Sequence, residues 1–188
     1  MLDHSCQVQR HPLSERGHDC YQTPEVGTEA VFRHEDIDDF WECAAGPGAI
    51  VRVGRRLGRT VIASDIVPYE GLHFARDFLG EIGMPAGVDT ILTNPPFKLA
   101  EQFVEHALWL APKVIMLLRL AFLESERRCH ILEGRGLARV HVFRKRLPMM
   151  HREGWQGPKA NSGMAFAWFV WIRGHTGPTI INRISWER

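Results

Sequence analysis

Phe40-Trp41-Glu42-Cys43-Ala44-Ala45-Gly46-Pro47-Gly48 decides how the chain is read: a short apolar run ends in a glycine turn, and Ile50, Val51, Val53 and Leu57 follow on one helix face. That is strand, turn, helix. Downstream, Thr60-Val61-Ile62-Ala63-Ser64-Asp65 is β-rich and closes on an acid, and Val88 to Thr93 is a second such run, ending in Asn94-Pro95-Pro96-Phe97. Leu99, Phe103, Val104, Ala107, Leu108 and Leu110 then recur at helical spacing. Lys113 to Leu118 predicts a buried strand, Glu124 to Leu132 a helix, Ala138 to Phe143 a strand, and Met164 to Ile172 a last strand before a Gly/Pro turn and a tail ending in Trp186. Upstream, Thr23-Pro24-Glu25 has the form of a helix start, with Thr as N-cap and Pro at the first helical position, and the helix should run to about Phe32. Strands alternating with helices predict an α/β fold, a mostly parallel sheet covered on both faces with ligands at the carboxyl ends of its strands.

With 188 residues, 45% hydrophobic and 24% charged, one globular domain is expected. Residues 1–20 are polar and without apolar periodicity, an arm that either wraps the domain or is disordered, so the domain is taken as 21–188. Residues 144–163 hold Pro148, Gly154, Gly157, Pro158 and Gly163 and have no clear period, which predicts a long loop of the kind that is functional or mobile. The apolar runs around Val114 to Leu118 and Met164 to Ile172 fall far short of the roughly 20 residues a membrane span needs. Residues 1–20 lack the cationic segment, apolar stretch and small-residue site of a secretory leader and no C-x-x-C pair occurs, so a cytoplasmic protein with reduced thiols is expected. His4, His11 and His18 recur near Cys6 and Cys20, but no second cluster has metal-ligand spacing, so no metal is expected.

Net charge is +1, yet residues 15–42 carry nine carboxylates against Arg16 and Arg33, while residues 113–159 carry eleven Lys+Arg against four Glu. Nineteen of the 23 cations are arginine, a bias that suits bidentate phosphate contacts and that a GC-rich genome would also give. Arg144, Lys145, Arg146, Arg152 and Lys159 flank Met149, Met150, His151 and Trp155 in the loop, which mixes phosphate-binding groups with a stacking surface. The alternative is a solvated loop with its apolar residues tucked onto the domain. Arg119, just past a predicted strand end, either reaches the same cleft or pairs with a carboxylate.

Gly46 and Gly48 let a backbone approach a ligand closely and open a helix N-terminus, or else simply make a tight strand-to-helix turn. A nicotinamide-binding loop fits poorly, because its third glycine would fall at Val51. Asp65 is placed to accept hydrogen bonds from a ribose. In Asn94-Pro95-Pro96-Phe97 the prolines fix a rigid, non-helical corner at a strand end, and the corner presents acceptors, the Asn94 side-chain oxygen and backbone carbonyls. An exocyclic amine becomes nucleophilic when such acceptors hold its hydrogens and its lone pair localises, and Phe97 supplies a face for a planar substrate.

These segments, from Tyr21 to about Trp171, resemble the class I S-adenosylmethionine-dependent methyltransferases, and within them the amino methyltransferases that act on adenine in DNA. Tyr21-Gln22-Thr23-Pro24 is similar to the family's segment near the methionine end of the cofactor, and Glu42 to Gly48, with Ala44 inside it, to its glycine-rich cofactor loop. Asp65 matches the acid that holds the ribose hydroxyls, Asp77-Phe78 the pair that meets the cofactor's adenine, and Asn94 to Phe97 the catalytic N-P-P-F/Y/W motif. The resemblance implies a Rossmann-like, mostly parallel seven-stranded sheet, S-adenosylmethionine as cofactor and a nucleic-acid substrate, DNA before RNA. No target-recognition domain accompanies the motifs, so the likeness is to a minimal, phage-like form, with specificity left to a partner or a homodimer. RNA adenine or guanine amino methyltransferases and protein glutamine methyltransferases carry similar motifs and stand as alternatives. A methyltransferase fold that serves only as a binding module is a further one.

Overall fold

A computed structural model describes residues 22–149 and 164–187. The N-terminal arm, Tyr21 and most of the expected loop, with Arg152, Trp155 and Lys159, lie outside the described residues. Eight strands form one sheet: β1 (Phe40–Glu42), β2 (Val61–Asp65), β3 (Phe74–Ala75), β4 (Thr90–Thr93), β5 (Lys113–Arg119), β6 (Leu137–Phe143), β7 (Phe166–Ile172) and β8 (Ile180–Ile184). Their order is β3-β2-β1-β4-β5-β7-β6-β8, and every neighbouring pair is parallel except that β7 runs antiparallel to both β5 and β6. The central strands are continuous apolar runs because both of their faces are covered: Val114 to Leu118 and Phe166 to Trp171 are buried without a break.

The mostly parallel sheet is as expected, with one strand more than seven. The tail after the Gly/Pro turn adds β8, which pairs with β6 from Arg139↔Ile180 to Phe143↔Ile184. Only Ile184 of that strand is fully buried, so its sequence carries no alternation that would announce it.

Helices α1 (Glu25–Phe32) and α2 (Ala49–Arg56) cover one face, and α3 (Ala100–Leu110) with the one-turn α4 (Cys129–Leu132) covers the other. Helix α1 starts one residue later than the sequence suggests. Pro24 is its N-cap, extended at φ −60° and ψ 130°, and the buried Thr23 lies before the cap. The helix expected over 124–132 breaks into 3-10 turns at Leu120–Leu123 and Glu126–Arg128 followed by α4. Between Phe122 and Ile131 no residue is buried, and Arg127 and Arg128 pair with Glu101, so no apolar stripe holds a continuous helix. No helix among the described residues is long and apolar enough to cross a membrane.

Two contacts fix the helices on the sheet. Gly54 of α2 sits where an added Cβ would lie 2.7 Å from the Phe40 ring and from Val61, so only glycine lets α2 lie this close to β1 and β2. Beyond α1, the buried Glu35 carboxylate takes both N–H edges of the Arg139 guanidinium, has His141 Nε2 at 2.7 Å, and has the Lys113 ammonium at 3.9 Å. Burial raises the Glu35 pKa, but hydrogen bonds from His141 and Arg139 outweigh it and hold the carboxyl at about 2. From β1 the chain continues to β2 and β3 on one side, and from β4 to β5 on the other. The order reverses between β1 and β4, which leaves a crevice above their carboxyl ends.

Candidate functional site

That crevice holds a cavity of about 530 Å³, within the roughly 300–1,000 Å³ usual for small-molecule sites. The turn after β1 forms one wall. Gly48 caps α2 at φ +80°, a left-handed conformation that an L side chain rarely adopts, and so turns the strand directly into the helix. The turn is tied to the next strand twice: the Ala45 amide donates to the Ser64 carbonyl at 3.0 Å, and the Gly46 amide donates to Asp65 Oδ2 at 2.8 Å. The other Asp65 oxygen accepts from the Val67 amide at 2.9 Å. Asp65 therefore fixes the glycine turn and the chain leaving β2 with one carboxylate, and each oxygen keeps a lone pair for a ligand.

Glu42, at the end of β1, is fully buried and lines the cavity. Its Oε1 accepts from the Thr93 hydroxyl of β4 and from the Ala44 amide at 3.1 Å, while Oε2 has no hydrogen bond among the described residues. Burial, with the Asp65 charge adding to it, pushes the Glu42 pKa up to about 8 against the pull of those two hydrogen bonds. At neutral pH Glu42 is a protonated acid, a donor as well as an acceptor. Burial likewise pushes the neighbouring Cys43 thiol well up, which makes it an inert wall residue.

Asp77 and Phe78 form another side. The Asp77 carboxylate accepts from the Leu79 amide at 3.0 Å and caps a short 3-10 turn, and Phe78 is buried edge-on to Trp41 and beside Phe103. Opposite, Asn94-Pro95-Pro96-Phe97 leaves β4, stays extended at Pro96 (φ −58°, ψ 129°) and enters a 3-10 turn over Phe97–Leu99 before α3. The expected non-helical corner is present.

Of the residues proposed from sequence, Thr23, Glu42, Ala44, Gly46, Asp65, Asp77, Phe78, Asn94, Pro95, Pro96 and Phe97 line this one cavity. Pro24 and Gly48 do not; they cap α1 and α2. Arg119 is not a wall residue, but its guanidinium lies 4.6 Å over the Phe97 ring, so it reaches the cleft and does not pair with a carboxylate among the described residues. Arg144, Lys145 and Arg146 are exposed and away from the cavity. The Arg144 amide bonds the β8 end at Ile184 and Lys145 pairs with Glu187 at 2.7 Å. Leu147 and Met149 are buried, so the described start of the loop tucks onto the domain. Sequence reasoning missed Ile66, Val67, Tyr69, Lys98 and Phe103 as wall residues. Ile66, 66% exposed beside Asp65, carried a usable signal: an apolar side chain just past a strand-ending acid.

No family model matches the chain, and no curated protein matches it. Solved structures do. A protein of Pyrococcus horikoshii described as a candidate RNA methyltransferase is 17% identical, with 81% of this chain and 87% of that one covered and a TM-score of 0.59. The 23S rRNA methyltransferase ErmE is 14% identical over 84% of this chain and 70% of its own, with a TM-score of 0.56. A protein of Thermoplasma acidophilum is 18% identical over 78% and 82%, at 0.53. At such identities the likeness is one of architecture: the chain has the Rossmann-like α/β fold of class I methyltransferases.

Proposed function

We propose that the chain is an S-adenosylmethionine-dependent methyltransferase that methylates the exocyclic amino group of adenine in nucleic acid, with DNA as the first reading. One observation carries this: Asn94-Pro95-Pro96-Phe97 lines the same cavity as the Gly46 turn and Asp65. The residues present fit the cofactor. Asp65 offers carboxylate lone pairs for ribose hydroxyls, the exposed Ile66 offers an apolar face for a base with Phe78 buried in the wall beside it, and Glu42 presents a buried carboxyl oxygen with no hydrogen bond among the described residues. S-adenosylmethionine, when bound, supplies a methyl group already activated on a sulfonium, which leaves positioning as the protein's main task.

The remaining work belongs to the corner after β4. The Asn94 side-chain oxygen and the Pro95 carbonyl accept the two hydrogens of the acceptor amine, so its lone pair is no longer spread into the ring. The prolines keep those acceptors from reorienting, and Phe97 provides the stacking face. A base in a duplex must first be flipped out, at a cost of a few kcal/mol that a single strand avoids. RNA is the second reading, favoured by the two structural neighbours described as RNA methyltransferases.

The experiment is incubation with methyl-labelled S-adenosylmethionine, separation of DNA, RNA and protein, and digestion of the labelled fraction to nucleosides or peptides. N6-methyladenine from DNA supports the first reading, and a methylated base from RNA supports the second. Label on glutamine, or no label anywhere, overturns both.

A further inference from the structure

Phe97 does not present a bare ring. The Arg119 guanidinium lies 4.6 Å from its centroid, and Phe166 packs against it at 5.4 Å between centroids and 36° between planes. Arg119 and Phe166 are register partners across the β5–β7 pair, so one rung of the sheet brackets the aromatic ring of the corner. Arg119 ends β5, the strand next to the one that delivers Asn94. Its side chain is exposed and, among the described residues, has neither an ion pair nor a hydrogen bond. Other stacked arginines are held differently: Arg128 lies over Phe122 but also bonds Glu101, and Arg76 lies over Phe74 with Glu81 at 3.5 Å. Arg119 is exposed and, among the described residues, its guanidinium meets the Phe97 ring alone.

An exposed guanidinium on an aromatic ring is held more weakly than a stacked nucleobase. A base arriving at the corner therefore displaces the cation. Once displaced, the planar fork stays tethered to the end of β5 beside the entering nucleotide, and phosphate is the group it matches bidentately. We propose that Arg119 is a placeholder on the stacking face of Phe97 that an entering nucleobase displaces, and that its freed guanidinium then holds a phosphate of that nucleotide. The acceptor site accordingly takes a base carried on a phosphodiester strand and discriminates against a free nucleoside or an amide side chain. The inference rests on reading Asn94 to Phe97 as the acceptor corner.

The test measures binding of a short single-stranded oligonucleotide with 2-aminopurine in place of adenine, and of free 2-aminopurine nucleoside, by fluorescence between about 50 and 200 mM salt. Wild type, Arg119→Ala and Arg119→Lys are compared. Arg119→Ala should weaken the oligonucleotide about tenfold, the loss of one hydrogen bond to a charged group. It should lower the logarithmic salt slope by about one and leave the nucleoside bound as well as before or better. Arg119→Lys should keep the salt slope of wild type. S-adenosylmethionine affinity and thermal midpoint should stay unchanged in both variants, because Arg119 does not line the cofactor cavity. Equal weakening of oligonucleotide and nucleoside would reduce Arg119 to a support for Phe97 and overturn the proposal, as would an unchanged salt slope. If the binding pattern holds while no methyl group is transferred, the function falls and the placeholder stands. If methyl transfer occurs but the variants show no preference for the phosphate-bearing ligand, the placeholder alone falls. A wild type that binds no oligonucleotide overturns both.

Discussion

Glu42 and Asn94 stand at the ends of adjacent strands, and each makes a prediction of its own. The folded state holds Glu42 protonated up to about 8, whereas the unfolded chain ionises it near 4.5. Its contribution to stability is therefore full below about 4.5 and is lost as pH rises toward 8, at about 1.4 kcal/mol per pH unit for one proton. Glu42→Gln keeps an acceptor for Thr93 and the Ala44 amide but cannot ionise. Urea unfolding at several pH values should show the variant gaining on wild type across that window, and parallel curves would refute the buried acid. Glu35 has the opposite sign: its stabilisation is present above 4.5 and fades as pH falls toward 2. Asn94→Ala should lower the rate of methyl transfer by roughly 10²–10³-fold, the scale for removing one preorganised hydrogen-bonding group. Its thermal midpoint should barely move, and single-turnover kinetics with labelled cofactor read the difference. At this scale the motif residues were legible because the chemistry needs those side chains in that order. Tyr69 and Lys98 were not, because their place on the wall depends on how the chain turns after β2 and β4.

Individual elements were legible to the extent that their burial is written into their residues. Strands β5 and β7 are unbroken apolar runs at the centre of the sheet, and the sequence marks them within two residues. The strand β8 escaped because its pairing with β6 supplies what its own side chains do not. The 124–132 segment reads as one helix in the sequence, whereas its single buried residue, Ile131, is too little to hold one. The packing of α2 shows what a single position contributes. Gly54→Ala puts a methyl group 2.7 Å from Phe40 and Val61, and overpacking of this kind costs about 1–3 kcal/mol. Denaturant unfolding should show the midpoint falling with an unchanged slope. A neutral Gly54→Ala would mean that α2 rides further from the sheet. Because α2 begins at the Gly48 turn, the same variant should also weaken cofactor binding.

Across the whole molecule, the acidic and basic stretches of the sequence meet at Glu35, and other described charges find partners in distant segments. Glu25 and Glu29 take Arg52 and Arg56, Glu35 takes Arg139, Glu101 takes Arg127 and Arg128, and Glu187 takes Lys145. Among the described cations after Lys113, Arg127, Arg128, Arg139 and Lys145 are committed to ion pairs within the fold, and Arg119 lies over the acceptor corner. Sequence order could show the excess of cations but not their partners, which come from distant segments. What the topology adds is convergence: β1, β2 and β4 lie side by side, so a glycine turn, an acid and an acceptor corner far apart in the chain meet around one cavity. The most direct measurement of that convergence is calorimetric titration of S-adenosylmethionine into wild type, Asp65→Ala and Asn94→Ala. The account predicts one saturable site in wild type, affinity lowered about tenfold or more by Asp65→Ala, the scale of one hydrogen bond to a charged group, and affinity within about twofold of wild type in Asn94→Ala. No binding to wild type, or undiminished binding to Asp65→Ala, would contradict it.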